Sequence, residues 1–152
     1  MKLTEHFTLE ELVASDIAKK HNLDNNPSES VIHNITRLAK LLESVRALFN
    51  KPIRVNSAYR SPEVNAAIGG SATSAHCKGF AADFEVLGMD NKELALWIRD
   101  NLKFTQLILE FYKEGIPDSG WVHCAFDRND LKEQVLTATK VDGKTKYLVG
   151  IQ

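Results

Sequence analysis

The 152-residue chain balances 19 Lys and Arg against 20 Asp and Glu, for a formal net charge of -1, with 43% hydrophobic and 26% charged residues. That composition excludes a disordered chain and offers no broad electrostatic attraction to nucleic acid or anionic membrane. The length suits one domain over residues 1–152, large enough to bury a core without staples. No apolar run is long enough to span a bilayer, so no membrane insertion is expected. Met1 to Phe7 has no apolar stretch after Lys2; this reads as no Sec signal peptide, hence synthesis in a cytoplasm. Cys77 and Cys124 are too sparse for a disulfide framework and read as two reduced thiols.

Thr8-Leu9-Glu10-Glu11 is a capping box that opens a short helix through Val13 and beyond. Asp24 to Ser28 breaks the chain. Val31, Ile35, Leu38, Leu42, Val45 and Phe49 then recur on one face of a long helix that ends at Lys51-Pro52. Ile53 to Tyr59 alternates as a strand. Ser61-Pro62 starts a short helix through Ile68. Phe80 to Leu87 reads as a strand, and Asp90 to Glu93 is a second capping box ahead of Leu94, Trp97 and Ile98. Phe104 to Phe111 and Trp121 to Phe126 are two further strands, joined by a polar loop over 113–120. Val135 to Val141 and Lys144 to Val149 flank Asp142-Gly143, a hairpin signal. Helices early and strands late predict an α+β fold, an antiparallel sheet with helices packed on one face.

The chemistry concentrates in two stretches, Ser74 to Asp83 and Trp121 to Phe126. Read as a strand, Phe80, Ala82, Phe84 and Val86 face the core, which leaves Asp83 on the other face beside the small Ala81. Gly79 permits a turn that brings His76 back over that face. By the same alternation Val122, Cys124 and Phe126 face inward, and His123 faces outward with Trp121 and Ala125. Two imidazoles and one carboxylate are a zinc ligand set that leaves a position open for water, as catalytic sites do. A water there has its pKa lowered to roughly 7.

A hydrolase of this kind also needs a general base and a group for the developing oxyanion. Along 106–111, Leu107, Leu109 and Phe111 form one face, and Gln106, Ile108 and Glu110 the other. Glu110 is the candidate base, with Asp118 in the following loop as the rival. Arg60 is a fixed cation suited to a peptide carbonyl or terminal carboxylate. Trp121 reads as a packed cleft wall. Ser74 orients the loop or the substrate, since no adjacent base would make it a nucleophile. His6, His21 and His33 read as ordinary surface or core residues.

Ser-x-His-x-x-Gly-x-Ala-x-Asp at 74–83, together with Trp-Val-His at 121–123, resembles the M15 peptidase family. That family includes zinc D-Ala-D-Ala carboxypeptidases and phage L-alanyl-D-glutamate endopeptidases, and shares its metal-site fold with the hedgehog signalling domain. The resemblance runs from Phe7-Thr8-Leu9-Glu10-Glu11-Leu12 to the strand ending at Phe126. It implies zinc on His76, Asp83 and His123, and Arg60 of Ser57-Ala58-Tyr59-Arg60 as the transition-state or substrate arginine. Many relatives carry an acid three residues before the last histidine, where this chain has Gly120; Glu110 matches relatives whose glutamate ends the preceding strand.

The function expected is hydrolysis of a peptidoglycan stem-peptide bond by a monomeric, phage-type endolysin. It would be freed by a separate membrane-permeabilising protein or carried in the virion. The alternatives are a D-Ala-D-Ala carboxypeptidase and a non-catalytic metal-bearing module that binds the wall or serves a phage tail. The 113–120 loop is expected to border the metal cleft and shape which peptide enters.

Overall fold

The computed structural model describes residues 1–152. Its elements are α1 (Leu9–Val13), α2 (Asp16–Lys20), α3 (Glu29–Phe49), β1 (Ile53–Ser57), α4 (Pro62–Ala67), a 3-10 turn (Ala75–Lys78), β2 (Ala81–Val86), α5 (Asn91–Asn101), β3 (Gln106–Glu110), β4 (Trp121–Ala125), β5 (Gln134–Val141) and β6 (Lys144–Val149). Side-chain caps set the helix starts. Thr8, Ser15, Ser28, Ser61 and Asp90 each accept a backbone N–H from the first turn of α1 to α5 in that order. Each such cap is worth about 1 kcal/mol. α2 has no apolar periodicity of its own, and only its Ser15 cap signals it.

The six strands form one sheet in the order β1-β2-β4-β3-β5-β6. Four of the pairings are antiparallel, but β5 runs parallel to β3. The expected α+β class holds, and the one departure is that this parallel pairing makes the sheet mixed where the sequence suggested an antiparallel one. The cause is the segment after β4. It crosses the start of β3, where Glu133 and Gln134 donate to the carbonyls of Phe104 and Thr105, and joins the sheet on the far side. At the β5–β6 turn both Asp142 and Gly143 have positive φ, as a two-residue hairpin of this twist requires.

One face of the sheet carries Ala82, Phe84, Val86, Leu107, Leu109, Val122 and Cys124 into the core. Ile35, Leu38, Leu42 and Val45 of α3 pack there, with Leu94, Ala95 and Ile98 of α5. Full burial of each large apolar side chain contributes about 1.5–3 kcal/mol, so this layer holds the register of the central strands. Both cysteines are free thiols; Cys124 lies in the core, where burial pushes its pKa up to about 12. Two end residues depart from the alternation. Phe80 and Phe126 are only half-buried, since each lies just outside its strand.

Candidate metal centre and active-site cleft

The opposite face of the sheet carries the chemistry. Cross-strand register places Asp83 beside His123, and His123 beside Ile108. Ser74 caps the 3-10 turn by accepting from the His76 N–H at 3.2 Å, and Gly79 ends that turn at φ +77°. A Cβ at Gly79 would come within 2.9 Å of Ile35 Cγ1 and 3.0 Å of the Val31 carbonyl. Glycine is thus needed for both the dihedral and the space, and it lets His76 fold back onto β2.

His76, Asp83 and His123 are all buried, and one ligand atom from each lies within 4.8 Å of the others. Asp83 Oδ1 is 3.3 Å from His76 Nε2 and 2.9 Å from His123 Nδ1. The Ala58 carbonyl sits 2.6 Å from His76 Nδ1. Because a carbonyl can only accept, the Nδ1–H donates to Ala58, and this fixes the ring so that Nε2 is the nitrogen that faces Asp83, the arrangement of a histidine oriented by a backbone oxygen. Burial opposes ionisation of Asp83, but the hydrogen bonds and charges of the two imidazoles outweigh it and hold the carboxyl well below the ordinary range. An ionised carboxylate between two imidazole nitrogens is a donor set that fits a divalent transition metal.

The site opens into a cleft of about 660 Å³, lined among others by Arg60, Ser74, Glu110 and Trp121. Glu110 pairs with Trp121 across β3 and β4, and the indole N–H donates to Glu110 Oε2 at 2.5 Å. Burial chiefly, and then the Asp83 charge, raise the Glu110 pKa; His123, the indole and Arg60 pull against them. Arg60 donates from Nη1 to Ser57 Oγ at 3.3 Å, while its buried Nε has no partner. Ser57 is the one hydrogen-bond partner of the guanidinium, so its other terminal N–H groups keep donor capacity for a ligand at the cleft wall.

Asp118 is not brought to this cleft. It borders a separate pocket with Arg54, Glu85 and Pro117. Pro117 and Asp118 line that pocket, and Asn91 at the start of α5 holds the loop there by donating to the carbonyls of Pro117, Ser119 and Gly120; no residue of 113–120 lines the metal cleft. The loop thus does not border the metal cleft, contrary to the expectation from chain order. Phe111 also departs from its expected core position. Its φ of +58° takes it out of β3, and its ring packs edge-on to Trp121 with centroids 5.4 Å apart.

Gly120 explains why the acid stands elsewhere. A Cβ at this position would lie 2.0 Å from the Glu110 carbonyl oxygen and 2.7 Å from the Phe111 carbonyl carbon. No side chain fits three residues before His123, and the cleft carboxylate comes from the neighbouring strand instead.

Sequence reading missed the far wall. Thr105, Lys132 and Tyr147 line the cleft there, beside Gln106, which alternation had placed on the Glu110 face of β3. Tyr147 could have been found only by knowing that β6 lies two strands from β3, which follows from the parallel β3–β5 pairing.

The profile of the Peptidase M15 family matches residues 5–125, from before α1 to the end of β4, and so includes every one of the metal-site residues. Comparison with curated proteins finds no match. The matched region covers most of the chain, and the chain belongs to the M15 peptidases, a family of metal-dependent peptidases.

Proposed function

We propose that this chain is a zinc-dependent endopeptidase that cuts a peptidoglycan stem peptide. The observation that carries the reading is the convergence of His76, Asp83 and His123 within 4.8 Å, at the floor of a cleft that also presents Glu110 and Arg60. The two-imidazole, one-carboxylate set and its backbone-anchored His76 favour zinc over harder cations. Bound there, zinc supplies Lewis acidity, which polarises a carbonyl and makes water acidic enough to attack at neutral pH.

The chain's own residues do the rest. Glu110 accepts the proton of the attacking water and returns it to the leaving amine, the transfer that converts an amide to a carboxylic acid and an amine. Its raised pKa suits holding that proton between the two steps. The Trp121 indole fixes Oε2, so Oε1 is the oxygen left to exchange protons. Arg60 donates to a substrate carbonyl or carboxylate through the fork that Ser57 steadies. Ser74 lines the cleft wall and keeps the His76 turn in place.

Endopeptidase action is favoured over carboxypeptidase action because the cleft continues on both sides of the metal residues, from Arg60 and Gly70 to Gln106 and Tyr147. A chain can run through such a groove, whereas a carboxypeptidase closes one end. Release from a phage-infected cell, and action as a monomer, belong to the same proposal. The test is digestion of purified peptidoglycan by the zinc-loaded protein, with new amine termini identified by mass spectrometry. Cleavage at L-Ala-D-Glu or at a cross-link is the expected outcome. Free D-alanine as the only product overturns the endopeptidase choice, and metal-loaded protein inert on every wall peptide favours the non-catalytic binding module.

A further inference from the structure

The strands that carry Glu110 and Trp121 are gripped at one end by the start of α5. Glu110 runs directly into Phe111 and Tyr112, and Trp121 directly follows Ser119 and Gly120. The Tyr112 hydroxyl donates to Asp90 Oδ2 at 2.9 Å, while Asp90 Oδ1 caps the helix. The next residue, Asn91, donates from Nδ2 to the Ser119 carbonyl at 3.1 Å and to the Gly120 carbonyl at 3.2 Å. Two adjacent residues thus hold both of the chain segments that flank the Glu110–Trp121 pair.

Asn91 is itself held. Its Nδ2 also donates to Glu85 Oε1 at 3.2 Å, and Glu85 Oε2 accepts from Arg54 and Asn56, each at 3.2 Å. Glu85 stands two residues beyond Asp83 on the same face of β2, so the grip is tied to the strand that bears a metal-site residue. Two carbonyls and a carboxylate can only accept, so the Asn91 amide has one orientation here. That orientation leaves Oδ1 buried with no hydrogen-bond partner, in a residue that is 1% exposed. An unpaired buried oxygen costs stability, and the start of a helix does not need one. What the position gains is the donor.

The contact at Gly120 is the one that reaches the chemistry. Gly120 lies against the Glu110 carbonyl with no room for a Cβ, and its own carbonyl is fixed by Asn91. The residue that follows is Trp121, whose indole N–H meets Glu110 Oε2. We propose that Asn91 is a positioning residue for the Glu110–Trp121 pair: by fixing the Gly120 carbonyl it aims the indole at Oε2 and so holds the carboxylate in the cleft. Its catalytic consequence rests on the peptidase reading above, in which Glu110 is the base.

The test uses zinc-loaded protein and two readouts. NMR follows the indole N–H of Trp121, assigned by its loss in Trp121→Phe, with Trp97 as the internal reference; kcat and KM are measured on a wall peptide. Asn91→Ala should shift the Trp121 signal upfield, as a weakened hydrogen bond to a carboxylate does, and leave that of Trp97 in place. It should lower kcat by about fivefold and change KM by less than about twofold. In a Trp121→Phe background the same substitution should have no further effect on kcat, because the group it acts through is gone. Asn91→Ser provides the same test where alanine does not fold, and zinc content with thermal midpoint verifies each variant. A folded Asn91→Ala protein with an unmoved Trp121 signal overturns the proposal, and so does an equal loss of kcat in both backgrounds; either result leaves the peptidase reading intact. A wild type inert on every wall peptide overturns the peptidase reading alone, since the NMR shift still decides the positioning role.

Discussion

All six residues of β2 are buried, whereas five of the six in β6 are exposed. Both strands contribute to one face of one sheet, and the contrast follows from position. β2 is covered by α3 and α5 on one side and by the His76 turn on the other, so its register cannot slip without moving Phe84 out of the core. β6 is an edge strand held by β5 alone. Placement tolerances of a fraction of an ångström, which metal ligation demands, are met where packing is two-sided; cleft-lining side chains such as Tyr147 sit where they can vary without cost to the core. The family match divides the chain the same way. It includes β2 and β4 and stops before β5.

The sharpest way to break that contrast is to remove a central ligand. His123→Ala or His76→Ala should abolish both bound metal and hydrolysis, as read by elemental analysis and peptide cleavage. Full metal occupancy in either variant would falsify the ligand set. The next effect lies one strand away. Glu110→Gln should keep the metal yet slow turnover by about 10²-fold or more, while Asp118→Asn, in its separate pocket, should remain near wild type. An inactive Asp118→Asn protein with active Glu110→Gln would reverse the assignment of the base.

Gly120→Ala probes the close approach of β3 and β4. The added methyl meets the Glu110 carbonyl, and the φ of +62° is one that alanine resists. A loss of roughly 1–3 kcal/mol in denaturant unfolding is expected, with a fall in kcat from the displaced carboxylate. Unchanged stability would mean that the backbone gives way more easily than this packing implies.

The smallest effect concerns pH. Glu110 works as a base only when ionised, so activity must fall as pH drops through its pKa. In the metal-free cleft burial, and then the Asp83 charge, raise that pKa, and a bound cation opposes them. Trp121→Phe removes a hydrogen bond that favours the ionised form, so the acid limb of kcat/KM should move up. A downward move in a folded, metal-loaded variant would show that another group governs the limb.

Much of the central region was legible in the sequence because it obeys period-two alternation. Ala81 and Asp83 against Ala82 and Phe84, or His123 against Val122 and Cys124, assign faces with no knowledge of the partner strand. Capping residues and Asp142-Gly143 were equally local signals. Three features were hidden because they depend on non-local contacts. The parallel β3–β5 pairing comes from a crossing that no residue type marks. The path of the 113–120 loop depends on contacts with the distant start of α5, from Asn91 to three of its carbonyls and from Lys92 to Glu114. Phe111 leaves its strand through a positive φ that phenylalanine does not advertise. Lys132 and Tyr147 were missed for the same reason as the pairing that delivers them.

The Asp83–His123 contact joins positions 40 residues apart in the chain, and His76 reaches the Ala58 carbonyl 18 residues back. An ion that ties the first pair therefore closes a long loop and acts on the ensemble of unfolded chains as a removable cross-link. Its binding free energy is available only to the folded sheet, because the unfolded chain holds no such triad. The apo and metal-loaded forms are then two proteins of different durability. Scavenging of metal by the surroundings would set the working lifetime of the molecule, even before it meets a substrate.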